Sequence, residues 1–267
     1  MSTILDEILA NKRKEVARTQ SVVPLESVCA RAHEAGACRD LRAALTAHSP
    51  HGIHLIAEVK HKSPSAGVIV EDFQPREIAM TYEASRASAV SVLTDREYFG
   101  GELEHLSIVK QAVKLPVLRK EFIVDEYQIF EARAAGADAI LLIAEALGVE
   151  MVASLLPVAQ SLGMTTLIEC HEENNLRQLI DRIGPAGDTF LYGINNRDLK
   201  RQVTDIATTR QLASLLPEGT PFVTESGIRT RKDVQELIGM GATAMLVGEA
   251  ILSHQPREAK IRELLGE

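Results

Sequence analysis

The chain has little cysteine, no excess of positive charge and no long apolar run, and each shortage removes a class of function. Its three cysteines, Cys29, Cys38 and Cys170, form no CxxC pair, which points to reduced thiols rather than a disulfide framework. Lysine and arginine number 29 against 37 acidic residues, for a net charge of −8. The basic residues are dispersed, so no footprint for nucleic acid or an anionic membrane is expected, and any affinity for phosphate has to be local. No apolar run reaches the ~18 residues of a membrane span. The leading "MSTILDEILANKRKEVA" lacks the continuous apolar core and small-residue cleavage site of a secretory signal. A cytoplasmic protein is therefore expected. The eight histidines are scattered; "HGIH" at 51–54 is the closest pair, with no HExxH or acidic cluster to support it, and no metal is expected. No GxGxxG follows the first candidate strand, which argues against a dinucleotide fold.

What is present is a repeat. The spacing of Ile4, Leu5, Ile8, Leu9 and Val16 predicts a helix over 3–19, and a second helical stretch covers 25–47. From residue 54 a short apolar run, a polar loop and an amphipathic helix recur. The runs are "HLIAEVK" (54–60), "AVSVLT" (89–94), "PVLRK" (116–120), "DAILLIA" (138–144), "MTTLIE" (164–169), "TFLYGIN" (189–195), "PFVTES" (221–226) and "TAMLVG" (243–248). Alternation of this kind implies a parallel sheet covered by helices. "AAGADAILLIA" and "GMGATAMLVGEA" echo one another, each with a Gly helix stop before an Ala-rich strand. Eight such units in 267 residues favour a (β/α)8 TIM barrel, typically about 250 residues. The expectation is one domain, 1–267, in which 1–47 form an N-terminal helical extension.

In a barrel the C-terminal strand ends make the functional face. Read that way, the first run ends with Glu58 and Lys60, the third with Lys120, the fifth with Glu169, the sixth with Asn195 and the seventh with Glu225 and Ser226. Glu58 and Lys60 share strand parity, so both should face the mouth while Ala57 and Val59 face the helices. A charge at one strand end commonly marks where the chain leaves for water. Two lysines and three glutamates at the same end of successive units are costly to desolvate without a use. "TESGI" (224–228) and "LVGEAI" (246–251) place glycines after the seventh and eighth runs, where barrels hold phosphate on backbone N–H groups. Gly227, Gly248 and the N–H of Glu249 are the candidates, with Ser63 closing from the first loop and Lys60 adding charge. The first loop, 61–72, is long enough to act as a lid.

The segments "IAEVKHKSPSAG", "VLTDREYFGG", "LPVLRKEFIVDEYQIFEARAAGADAILLIA", "LIEC", "YGINNRDL" and "TESGI" together resemble the indole-3-glycerol phosphate synthase family, from the first helix to the last. The resemblance implies a barrel with an added N-terminal helical segment. It also implies a small sugar-phosphate substrate, 1-(o-carboxyphenylamino)-1-deoxyribulose 5-phosphate, converted to indole-3-glycerol phosphate, carbon dioxide and water. It carries the general acid onto Lys120, a catalytic carboxylate onto Glu169, the strand-one pair onto Glu58 and Lys60, and active-site polar roles onto Asn195, Arg197, Glu225 and Ser226. Phe99 and Phe122 correspond to apolar contacts around the anthranilate ring, with Leu141 and Leu199 nearby. The chain departs from a common form of the family at Ser85-Arg86, where a Gly-rich helix end is often seen, and at Glu249, where some relatives carry Ser; a contact through the backbone N–H there survives the change.

Ring closure onto a carbonyl needs an ammonium that both stabilises and protonates the developing oxyanion. Lys120 suits that task, and Lys60 beside it is expected to pull its pKa towards neutral. Either lysine could protonate the hydroxyl lost in dehydration, with Glu169 as base, while Glu58 orients Lys60. No cofactor is called for. A Schiff-base aldolase and a non-catalytic sugar-phosphate binder on the same barrel are the competing readings. A monomer or weak homo-oligomer is expected.

Overall fold

The computed structural model describes residues 3–198 and 203–267. Eight parallel strands close into a barrel: β1 (His54–Val59), β2 (Ala89–Leu93), β3 (Val117–Lys120), β4 (Ala139–Ile143), β5 (Thr165–Cys170), β6 (Phe190–Asn195), β7 (Phe222–Glu225) and β8 (Ala244–Val247). Each pairs with its neighbour in sequence, and β8 pairs with β1. All eight predicted runs are strands, with no end shifted by more than one residue.

The alternation of side chains divides the core in two. Ile56, Leu118, Leu141, Leu167, Leu191 and Val223 point inward and fill the barrel. Leu55, Ala57, Val59, Val90, Ile140 and Ile168 point outward onto the surrounding helices. Those helices include α4 (Pro75–Ala84), α6 (Leu103–Ala112), α7 (Glu126–Ala134), α8 (Ala144–Leu147), α9 (Val149–Ser161), α10 (Glu173–Ile183), α11 (Ala207–Ala213), α12 (Arg231–Gly239), α13 (Glu249–Leu252) and α14 (Arg257–Leu265); α5 (Arg96–Phe99), in the loop after β2, instead brings Phe99 to the inner cluster. The echo seen in sequence is a shared helix stop. Gly136 at φ 95° and Gly241 at φ 89° let Ala137 N donate back to Ala132 O and Ala242 N to Leu237 O, closing α7 and α12 before the next strand.

Three helices precede β1: α1 (Ile4–Val22), α2 (Leu25–Glu34) and α3 (Leu41–Thr46). The stretch 25–47 is thus two helices rather than one. Residues 35–40 are non-helical, and Asp40 starts α3 by accepting a hydrogen bond from Ala43 N at 2.8 Å. This break lets the chain run the length of the barrel. α1 lies at the C-terminal rim, where Gln20 donates to Asp125 at 3.1 Å. α2 packs along α7, and at the opposite end Arg39 N donates to Asp138, just before β4, at 2.7 Å.

The Ser85-Arg86 departure follows α4, ahead of β2. Arg86 there has φ 66° and allows Ala87 N to donate to Tyr82 O. It occupies the same left-handed stop that Gly136 and Gly241 fill elsewhere.

Candidate active site

Register places the polar strand ends in one layer. Leu93 pairs with Lys120, Ile143 with Glu169, and Glu225 with Asn195. The side chains meet in a cavity of about 1090 Å³ at the C-terminal mouth. Its lining includes Glu58, Lys60, Phe99, Lys120, Phe122, Leu141, Glu169, Asn195, Arg197, Glu225, Ser226, Gly227, Gly248 and Glu249. Groups as far apart in the chain as Glu58 and Glu249 therefore line one cavity. Leu199 lies outside the described residues.

At the floor, Lys120 Nζ donates to Glu169 Oε2 at 2.7 Å and to Glu225 Oε2 at 2.9 Å. Asn195 Nδ2 holds the other Glu169 oxygen at 2.8 Å, and its own Oδ1 accepts from Arg197 N at 2.9 Å. Glu58 and Lys60 pair at 2.5 Å, so the strand-one carboxylate orients the lysine beyond it. All three glutamates are buried.

The electrostatics correct one expectation. Burial opposes the charge on Lys120, but Glu169, Glu225 and Glu58 outweigh it and hold the ammonium above its ordinary range. Lys60 does not pull it towards neutral, because its own ammonium sits against Glu58 while the Lys120 tip is enclosed by Glu169 and Glu225. Burial also works against the Glu58 carboxylate; Lys60 and Lys120 override it and keep that group below its usual pKa. Glu225 moves the other way. Burial and the neighbouring Glu169 carboxylate push it up to about 8 in spite of the attraction of Lys120.

Two glycines make room for this cluster. A Cβ on Gly193 would stand 2.6 Å from Glu225 Oε1 and 3.2 Å from Leu167 Cδ1. One on Gly248 would collide with the Glu58 carboxylate. Gly193, a glycine inside a strand, was visible in "LYGIN" and marks such a close approach.

The two ends of the cavity differ in character. At one, the Phe99 and Phe122 rings lie 6.0 Å apart, and Leu141 belongs to the same apolar cluster. Leu93 and Ile143 join this apolar wall; they are the inward C-terminal positions of β2 and β4, and their parity could have identified them. At the other end, Ser226 and Gly227 take φ 66° and 77°. A serine in that conformation is strained, as is common at ligand sites. Gly248 leads into α13, and the Arg197 guanidinium lies between three loops: 3.4 Å from Ser65 Oγ, 3.4 Å from Thr204 Oγ1 and 4.0 Å from the Glu249 carboxylate. Arg229, His254 and Lys260 extend the lining outward; no strand pattern marks them.

Ser63 is not brought into the cavity. It is buried under a small hairpin in the first loop, with Lys62 and Ser63 paired to Val68 and Gly67, and its hydroxyl accepts from Ala66 N. Ser65, two residues on, reaches towards Arg197 instead.

Solved structures with this architecture include tryptophan synthase α-subunits from Pyrococcus furiosus. Two of them superpose with a TM-score of 0.57 at 14% and 15% identity, over about four-fifths of this chain and 98% of theirs, a likeness of fold alone. Sequence relatives are much nearer. Proteins named indole-3-glycerol phosphate synthase from a Roseiflexus species and from Rhodospirillum rubrum are 47% and 43% identical, each over the whole of this chain and 99% or more of their own. One from Rhodopirellula baltica is 47% identical over 94% of both chains. The family model described as indole-3-glycerol phosphate synthase matches residues 5–264. On these matches, and on a barrel whose mouth gathers the residues that the family motifs carry, the chain belongs to the indole-3-glycerol phosphate synthase family.

Proposed function

We propose that the cavity binds 1-(o-carboxyphenylamino)-1-deoxyribulose 5-phosphate with its aromatic ring between Phe99 and Phe122 and its phosphate on the backbone of Gly227, Gly248 and Glu249, beside Arg197. Ring closure, loss of carbon dioxide and loss of water then give indole-3-glycerol phosphate. The observation that carries this reading is the Lys120 ammonium, held by Glu169 and Glu225 between an apolar end and an anion-receptive end.

The first step joins an anthranilate carbon to the ribulose C2 carbonyl. The carbonyl oxygen gathers negative charge, and Lys120 stabilises it and gives up a proton; the elevated pKa of Lys120 is no obstacle, since an alkoxide is more basic still. Decarboxylation leaves an indoline bearing a hydroxyl. Glu169, fixed by Asn195 on one oxygen and Lys120 on the other, removes the ring proton as Lys120 or Lys60 protonates the departing hydroxyl. Every step moves protons and bonding pairs without net oxidation, so no cofactor is needed. A Schiff-base aldolase fits poorly, because a nucleophilic lysine has to be neutral and the acidic neighbours of Lys120, Glu169 foremost, hold it charged. The same reading takes the chain as one cytoplasmic domain that is monomeric or weakly self-associating.

Lys120→Met tests the assignment. Loss of the acid should lower kcat by about 10³-fold with KM little changed, since ring and phosphate contacts remain. A variant retaining most of its kcat removes Lys120 from the role. Glu169→Gln should accumulate the species that precedes dehydration in rapid-quench experiments, and its absence counts against Glu169 as base.

A further inference from the structure

On α1 the buried positions Leu5, Ile8, Leu9, Lys12 and Val16 form one stripe, and the residue in the middle of it is a lysine. Lys12 is only 4% exposed. Its Nζ lies 2.6 Å from Glu15 Oε2, 2.9 Å from Asp95 Oδ2 and 3.2 Å from Glu121 Oε1. Asp95 and Glu121 are themselves buried and come from neighbouring loops, after β2 and after β3.

Each of these carboxylates shapes the loop that bears an aromatic wall of the cavity. Asp95 Oδ1 accepts from Tyr98 N at 2.8 Å and so starts the turn of helix that ends in Phe99. Glu121 Oε1 accepts from Phe122 N at 2.8 Å, and Glu121 stands between Lys120 and Phe122 in the chain. Its other oxygen accepts from Thr94 Oγ1 at 2.7 Å and lies 3.8 Å from Arg119. Among the described residues, Lys12 is the cation paired with Asp95, and it joins Asp95 to Glu121. Burial raises the pKa of Asp95, with Lys12 opposing and Glu121 adding to the rise. Without Lys12, the buried Asp95 and Glu121 carboxylates would lose the cation that lies between them.

We propose that Lys12 is a positioning residue for the substrate ring. It ties the N-terminal helix to Asp95 and Glu121, and thereby sets the separation of Phe99 and Phe122. The proposal rests on the aromatic end of the cavity being the ring site, as read above.

The test compares Lys12→Met, Lys12→Arg and the charge-balanced double variant Lys12→Met/Asp95→Asn, in which Asn retains the helix-starting acceptor. Phe122→Ala serves as the control for the ring site. KM for the full substrate and the inhibition constant of inorganic phosphate are measured for each. The expected result is a KM about tenfold higher in Lys12→Met and in the double variant, an unchanged phosphate constant, and recovery to within threefold in Lys12→Arg. A folded Lys12→Met variant with KM within twofold of the parent overturns the proposal. Equal losses in substrate and phosphate binding do the same, as does failure of both Met variants to fold, which would make Lys12 a residue of stability alone. If Phe122→Ala leaves KM unchanged, the ring-site reading itself has failed; if Phe122→Ala raises KM and Lys12→Met does not, only the role of Lys12 has.

Discussion

Replacing Gly193 by Ala perturbs the charged cluster around Lys120 without removing any functional group. The added Cβ would stand 2.6 Å from Glu225 Oε1, whereas ordinary contact lies near about 3.5 Å, so the carboxylate has to recede by roughly 0.9 Å. Its other oxygen sits 2.9 Å from Lys120 Nζ, and a displacement of that size takes the contact out of hydrogen-bond range. Loss of one charge-assisted hydrogen bond is worth about 1.5–3 kcal/mol, and misplacement near 1 Å costs up to about 10²-fold in rate. The expected outcome is a kcat lowered about 10- to 100-fold with KM nearly unchanged, because the proposed phosphate and ring contacts lie elsewhere. The tight Leu167 contact adds a stability loss of about 1–3 kcal/mol. Product formation can be followed by indole fluorescence against a low background, as the chain contains no tryptophan. Gly239→Ala is the control, since an added Cβ there meets nothing within 4 Å. A Gly193→Ala protein with kcat within twofold of the parent would refute the claim that this glycine holds space for Glu225.

Arg86→Gly should stabilise the protein by about 0.5–1 kcal/mol through relief of a left-handed residue, raising Tm by about 1–3 °C; the exposed ion pair to Glu267 that is lost contributes little, and a lower Tm in calorimetry would contradict this. Glu225 titrates near 8 in the fold and 4.5 in its absence, so it holds a proton over an interval in which the unfolded chain does not. The stability this contributes is fully present below about pH 4.5 and lost as pH rises through about 8. Urea midpoints across that window should therefore fall more steeply for the parent than for Glu225→Gln, and parallel curves would show that Glu225 is not the group responsible. Gly248→Ala should raise KM several-fold or more by driving Glu58 off Lys60 and crowding the phosphate end; unaltered KM would detach Gly248 from binding.

The barrel was legible because its signals are local. Each strand is a short apolar run, and two of the helix stops are glycines whose left-handed φ no other residue adopts as readily. The parity of Glu58 and Lys60, like the placement of Lys120, Glu169 and Asn195 at strand ends, follows from period-two alternation in a closed sheet. Where local signals were weak the reading slipped. Helical periodicity over 25–47 concealed the break at 35–40, because the polar residues that open α3 look like ordinary surface positions.

The site's electrostatics were not legible. That Lys120 carries ionisable neighbours could be read from the chain, but whether its nearest neighbour is Lys60 or a pair of glutamates depends on where side-chain tips point, and the tips of Glu169 and Glu225 close on it. The position of Ser63 depends on a hairpin whose pairing is non-local. Nothing in "ANKRKEVA" showed that Lys12 is buried between Asp95 and Glu121.

The amino-acid order by itself determined the eightfold repeat, the end of the barrel that bears the chemistry, and the residue types gathered there, since backbone period and turn chemistry act over a few residues. Tertiary structure alone decided which charges touch, which way each pKa moves, and which glycines are empty space for a carboxylate. Those depend on contacts of a few ångströms between segments far apart in the chain, and Coulombic and steric energies change steeply over such distances.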